Sequence, residues 1–341
     1  MRLVALALIL LALNVNAENP KLFLKNIPIK NNLIIGLDLE GLMALQSKFE
    51  LDEADGQIDS FKSFVGVDPS ELSALLIAGS GDFANPENES AFVVLKGNSS
   101  LHAEKVLHST LKNNSEFKVA ETKFNNHPVY FIDLPEVSAD TAVAAVPAKD
   151  MYLSNLSDDT LIVGGKKAVK EVLSTVKFDK MLSVTSSSQM MKIMDDESAL
   201  LFVAFSFENF LSTTAGQALA LNPAAQGLDM ESLTGLMFNA DYDKETGLKL
   251  LLNLSFFSID ARKTFESKMK KFRNDQQEFI QHGKLDISGG SNKLTVTYQL
   301  SDDEFTKMIT SIRNKVSGVV PAELPEGDLE EEDLDIPEEI E

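Results

Sequence analysis

GVDPSELSALLI, Gly66 to Ile77, aligns without a gap on GLDMESLTGLMF, Gly227 to Phe238. Gly, Asp and two leucines coincide, and Ser73 stands opposite Thr234. Working outward from that anchor, the same order of elements recurs. IIGLDLEGLMAL, from Ile34, parallels FVAFSFENFLST, from Phe202; each is an apolar strand that reaches a Glu and turns into a helix. AFVVLKG, from Ala91, parallels KLLLNLS, from Lys249, and TLIVGG, from Thr160, parallels KLTVTYQL, from Lys293. After the AFVVLKG strand comes a helix with Ala103, Val106, Leu107 and Leu111 at three- and four-residue spacing. Its counterpart carries Ala261, Phe265, Phe272 and Phe279. The closing helix opens on Ser301 and Glu304, the spacing of a capping box, and should bury Phe305, Met308, Ile309 and Ile312. One matched segment can arise by chance; four in one order point to a duplicated domain.

The pattern mixes strand-to-helix steps with hairpins, as at DYDKETG from Asp241 to Gly247. That predicts α+β architecture: a tandem duplication of a domain with mostly antiparallel sheet and helices packed on one face. The expected first repeat is residues 22–178, and an inserted hairpin and loop occupy about 116–149. A linker helix in 179–197, centred on Ser186 to Met194, leads to a second repeat over 198–317. The insertion holds an extra strand pair, FKVAETKF and HPVYFIDL, and the loop PEVSADTAVAAVPAK, Pro135 to Lys149.

MRLVALALILLALNVNA, residues 1–17, has a basic Arg2, an apolar run from Leu3 to Leu13 and a small residue at Ala17. It reads as a secretory signal peptide cut after Ala17, too short for a spanning helix. A chain of this size with no Cys then fits a bacterial periplasm or cell exterior, a secreted or periplasmic place, better than a disulfide-rich secretory route. Five Asn-x-Ser/Thr triplets start at Asn88, Asn98, Asn113, Asn155 and Asn253. Asn253 falls inside an apolar strand, so these read as chance and not as glycan sites.

Of 341 residues, 31 are Lys or Arg and 52 are Asp or Glu, a net charge of −21. A nucleic-acid partner needs a basic face, and an anionic membrane surface needs the same. Neither is expected, nor is membrane insertion of the mature chain. Zero Cys removes thiolate metal sites and cysteine nucleophiles. From Pro321 onward there are eleven acidic residues and no basic one, interleaved with Leu324, Leu329, Leu334, Ile336 and Ile340. Such a run can fold onto a basic partner; as a rule it is a disordered, solubilising extension, and residues 318–341 are read so.

Catalytic candidates fare poorly. Of the four histidines, His102, His108, His127 and His282, no two have the spacing of a zinc pair. Ser109/Lys112 and Ser267/Lys270 have Ser-x-x-Lys spacing but sit inside helices, away from the helix start that such chemistry uses. Gly164-Gly165-Lys166-Lys167 would offer backbone N–H groups and two cations to an anion, yet its counterpart reads Ser301-Asp302-Asp303. Asp52 to Asp59 resembles the middle of a calcium loop but has Leu51 and Lys62 where its strongest ligands belong. Asp241, Asp243 and Glu245 alternate through a turn and are expected to be solvated. No catalytic, cofactor-binding or metal-binding residue is assigned, and no cofactor is expected. The apolar run Ala142 to Pro147 is unusual for a loop, and its Val143 and Val146 are the candidate partner contacts. The expected function is an exported, non-enzymatic binding or scaffolding protein with a protein or polymer partner outside the cytoplasm. The alternatives are a secreted hydrolase using paired carboxylates and a weak cation-binding envelope protein.

Overall fold

The computed structural model describes residues 24–28, 30–49, 67–79, 91–97, 99, 101–113, 118–133, 150–178, 183, 199–207, 232–275 and 283–317. In chain order these form β1 (Leu33–Asp38), α1 (Leu39–Phe49), β2 (Leu72–Gly79), β3 (Phe92–Gly97) and α2 (Ala103–Asn113). Next come β4 (Lys118–Phe124), β5 (His127–Asp133), β6 (Asp150–Ser157), β7 (Thr160–Gly164) and α3 (Lys166–Phe178). The remainder is β8 (Leu201–Ser206), β9 (Leu233–Asp243), β10 (Gly247–Phe256), α4 (Ile259–Asp275), β11 (Lys284–Gly290), β12 (Lys293–Leu300) and α5 (Asp302–Ser317).

All twelve strands join one antiparallel sheet, ordered β11-β12-β10-β9-β8-β1-β2-β3-β7-β6-β5-β4. The centre is the β1–β8 pair, where Ile35 lies opposite Val203. Those two residues are also equivalent when IIGLDLEGLMAL is laid on FVAFSFENFLST, so a pseudo-two-fold axis passes between them. Ladders on either side keep step: Ile77 pairs with Ile35 as Phe238 pairs with Val203. Leu72 and Leu233, which the alignment superposes, are both buried. Farther out, Val163 pairs with Val93 as Val296 pairs with Leu252. That last comparison shifts the expected match of AFVVLKG by one residue. Val93 corresponds to Leu252, and the burial of Phe92–Gly97 then repeats residue for residue in Leu251–Phe256. A one-residue slip would have turned every side chain to the wrong face.

The expected fold class is corrected on three counts. The halves do not build separate sheets, because the first strand of each is the edge of its half and is apolar on both faces. Pairing those edges with each other removes two exposed hydrogen-bonding ladders. Second, the described residues are mostly antiparallel sheet, about 52% strand against 33% helix, and not a balanced α+β arrangement. Third, the helices lie on both faces. Leu42 and Leu45 of α1, Val106 and Leu107 of α2 and Phe305 of α5 pack over Leu37, Leu75 and Leu95. Phe265 of α4 covers Leu254, Leu294 and Val296, on the same side by strand alternation. By contrast Val169, Val172 and Leu173 of α3 pack over Ile34, Leu76, Val94 and Ile162, which point the other way.

Local chemistry sets the ends of the elements. Ser301 and Glu304 do form the capping box: Ser301 N–H donates to the Glu304 carboxylate at 2.9 Å, and Glu304 N–H to Ser301 Oγ at 3.3 Å. Phe305 and Ile309 are buried behind it and Met308 packs against the core; the Ile312 side chain lies outside the described residues. Asp38 caps α1 by accepting the Gly41 N–H at 2.8 Å. Lys48 at the far end of α1 pairs with Asp302 at 2.7 Å and donates to the Tyr242 hydroxyl, tying the first half to the second.

Candidate functional site

The hairpin of β4 and β5 is what the first half has and the second lacks. Its turn residues Asn125 and Asn126 have φ of 51° and 68°, the left-handed pair of a two-residue turn that matches strand twist. β4 is an edge strand, and Lys118 to Lys123 are exposed on both faces, so the hairpin extends past the helix layers.

Where it overhangs α3 it makes an open cleft of about 370 Å³. Val129, Phe131, Tyr152 and Phe124 supply an apolar floor, and the Phe131 and Tyr152 rings lie 5.1 Å apart, tilted by 46°. Lys166 and Lys170, one helical turn apart on α3, form the wall, with Lys123 and Glu121 on the hairpin opposite. The Lys170 ammonium stands 5.4 Å from the Phe124 ring centroid. Arranged so, cations border an aromatic surface, which suits an anionic group carried on an apolar body.

Gly164-Gly165-Lys166-Lys167 therefore contributes to a site, though not as a backbone cradle. A Cβ on Gly164 would lie 2.7 Å from the Phe92 Cβ, so packing explains the glycine. The Gly165 carbonyl accepts the Val169 N–H inside the first turn of α3. What faces the cleft is the Lys166 side chain, together with Lys170, which the sequence reading passed over. The signal for Lys170 was its spacing of four from Lys166, but nothing in the sequence placed the hairpin over it.

On the other side of the same hairpin a second open cleft, also about 370 Å³, is lined by His102, Glu104, His127, Tyr130, Asn155 and Asp158. Its polar groups serve the fold. The Asn155 carboxamide accepts the Ala103 N–H at 2.8 Å and donates to the Leu101 carbonyl, holding the start of α2. Tyr130 donates to Glu104 at 2.7 Å; burial and that carboxylate push its hydroxyl up to about 12. His102 stands just ahead of α2 and not inside it with His108, and its carbonyl accepts from Lys105 and Val106. His282 lies outside the described residues. Among the described residues no group of three or more His, Cys, Asp or Glu is placed to hold a metal ion.

Other candidates disperse. Asp243 accepts N–H bonds from Glu245 and Thr246, and those bonds hold its carboxyl below the ordinary range, so the turn itself uses the charge. Ser267 is exposed on α4, and its partner Lys270 pairs with Glu266 at 2.6 Å. Asn253 is buried in β10 and accepts from Thr295 Oγ1 at 2.8 Å. Asp52 to Asp59, Ser186 to Met194, and the loop bearing Val143 and Val146 lie outside the described residues. Asp38 was missed: burial first, then Glu40 and Asp241, raise its carboxyl to about 7 against the pull of the Gly41 N–H.

No helix among the described residues is long and apolar enough to cross a membrane. No protein-family model matches the chain, and no curated protein matches it in sequence.

Proposed function

We propose that this is an exported, non-enzymatic binding protein whose ligand sits in the cleft between the β4–β5 hairpin and α3. One observation carries the reading: the cleft forms where the inserted hairpin overhangs α3. Parts shared by both halves are needed for the common sheet, whereas a ligand-specific surface belongs where one half departs from the other. The ligand is an amphipathic anion, free or displayed on a protein or polymer, with its charged group at Lys166 and Lys170 and its apolar part over Phe131 and Tyr152. β5 and β6 pair at Asp133 and Asp150, two residues beyond the Phe131–Tyr152 pair. Val143 and Val146 lie in the sequence between those two residues, and both remain contact candidates. The signal-like segment 1–17 supports export to the periplasm or beyond.

The hydrolase alternative calls for paired carboxylates, and Asp38, raised to about 7, is the one carboxyl with the pKa of a general acid among those described. Its burial and its capping bond to Gly41 support a structural role instead. The test uses the mature chain and anilinonaphthalene sulfonate, an aromatic anion whose emission reports an apolar site. The wild type should bind it saturably, and the double variant Lys166→Glu/Lys170→Glu should weaken binding about tenfold, roughly 1.4 kcal/mol, without a change in melting temperature. Equal binding by both proteins places the ligand elsewhere.

A further inference from the structure

α4 is a basic helix in an acidic chain. It carries six Lys or Arg against three Asp or Glu, in a protein whose net charge is −21. Its inner side is closed: Phe265 is buried and Arg262 lies against the sheet, paired with Glu266. A Cβ on Gly289 would strike the Arg262 guanidinium, so β11 is shaped to receive that side chain. The outer side is basic and partly apolar. Lys263, Lys270 and Lys271 are exposed there, and Ile259 shares the side of Lys263 and Lys270 at 50% exposure. Phe257, just before the helix, is 75% exposed. α3 in the first half is also basic, with four lysines against one glutamate; what α4 adds is Phe257 and Ile259, exposed beside its lysines. Register places Gly97 opposite Phe256, so the residue matching Phe257 is Asn98, and α2 has two lysines against one Glu.

We infer that the acidic C-terminal segment of this same chain, Pro321 to Glu341, docks on the outer face of α4. Its eleven carboxylates complement the lysines, and its five Leu and Ile residues offer Phe257 and Ile259 an apolar partner. The chain leaves the described structure at Ser317, at the end of α5. α4 and α5 pack on the same face of β10 and β12, over Leu254 and Leu248 respectively, about 20 Å apart along a strand. The 24 residues from Gly318 to Glu341 reach up to about 80 Å when extended, so the tether allows the contact. A short tether gives a millimolar effective concentration, so even a weak intrinsic attraction keeps the segment docked. An anionic membrane is the poorer occupant, because the tail would compete with it at close range.

Amine acetylation followed by mass spectrometry tests the inference. Rates at Lys263, Lys270 and Lys271 should be about five- to tenfold lower in the mature chain than in a chain ending at Ser317. Lys167 and Lys284 should react alike in both. The difference should vanish in about 1 M NaCl, where the screening length falls to about 3 Å, and should persist on dilution. A full-length variant, Glu330→Gln/Glu331→Gln/Glu332→Gln/Asp333→Asn, should release the lysines as truncation does. Equal rates in the two chains overturn the inference. So does protection at Lys123, Lys166 and Lys170 instead, which puts the tail in the hairpin cleft. Protection lost on dilution also overturns it, since the tail would then bridge two copies.

Discussion

Asp38 makes the stability of this protein depend on pH in the direction opposite to most carboxylates. It is 7% exposed and its carboxyl is raised to about 7, while in the unfolded chain it titrates near the ordinary 3.8. Between those values the folded state holds a proton that the unfolded state has released. Stability from this group is therefore complete below about pH 4 and is lost as pH rises through 7. Each pH unit in that window costs about 1.4 kcal/mol, so the total is on the order of 4 kcal/mol. The other perturbed carboxylates lie on the far side. Asp159 is held at about 2 by Lys96, and Asp302, Glu266 and Asp243 are lowered by their own bonds. Their contributions fade only as pH falls below about 4, so among these perturbed carboxylates Asp38 alone acts between about pH 4.5 and 8.

Urea unfolding of the protein across that range should show its midpoint falling as pH rises. Asp38→Asn removes the charge and keeps an oxygen for the Gly41 N–H. The variant should lose the dependence and exceed the wild type by about 2–4 kcal/mol at pH 8. The helix N-terminus favours a negative Asp38, by about 0.3–1 kcal/mol, and is too weak to reverse the sign against burial. A flat wild-type profile, or a variant less stable than the wild type at pH 8, refutes the reasoning.

Gly36→Ala should cost at least 1–3 kcal/mol in melting experiments, because its Cβ would lie 2.0 Å from the Phe202 ring that crosses the pseudo-two-fold axis. Leu72→Ala and Leu233→Ala, both buried, should each cost about 2–5 kcal/mol, and Leu236→Ala, half-buried, measurably less. Asn239 is 4% exposed and neither end of its amide has a hydrogen-bond partner, so Asn239→Leu should stabilise the fold by about 1–2 kcal/mol in denaturant titrations.

What the matched segments made legible is which residues face the core. Leu72 and Leu233, or Val163 and Val296, had to remain apolar for each half to cover its own helices. The join between halves was not readable. Periodicity says that Ile34 and Phe202 point away from Ile35 and Val203, but a ladder of backbone N–H and C=O groups has no side-chain code. Two edge strands that are apolar on both faces were the available clue, and a strand buried on both faces reads the same whether its neighbour belongs to its own repeat or to the other. The face taken by α3 was hidden for a related reason. TLIVG is buried at every position, so it gives no preferred side on which the following helix should return.

The site was half legible. Lys166 stood out because glycines precede it, although those glycines answer to Phe92 and not to a ligand. Phe131 and Tyr152 looked like ordinary strand residues, since alternation assigns a face without saying whether a helix reaches far enough to cover it. Coverage depends on sheet width, and at this edge the sheet outruns its helix: α3 spans β6 and β7 but stops short of β4. An edge strand with charges on both faces is normally protection against unwanted pairing. On β4 those same charges, Lys123 and Glu121, also rim a surface too small and too open to be core. A hairpin at the margin of the sheet thus gains a new face without disturbing the centre, and the chemistry that settles there is set by whichever helix lies beneath it.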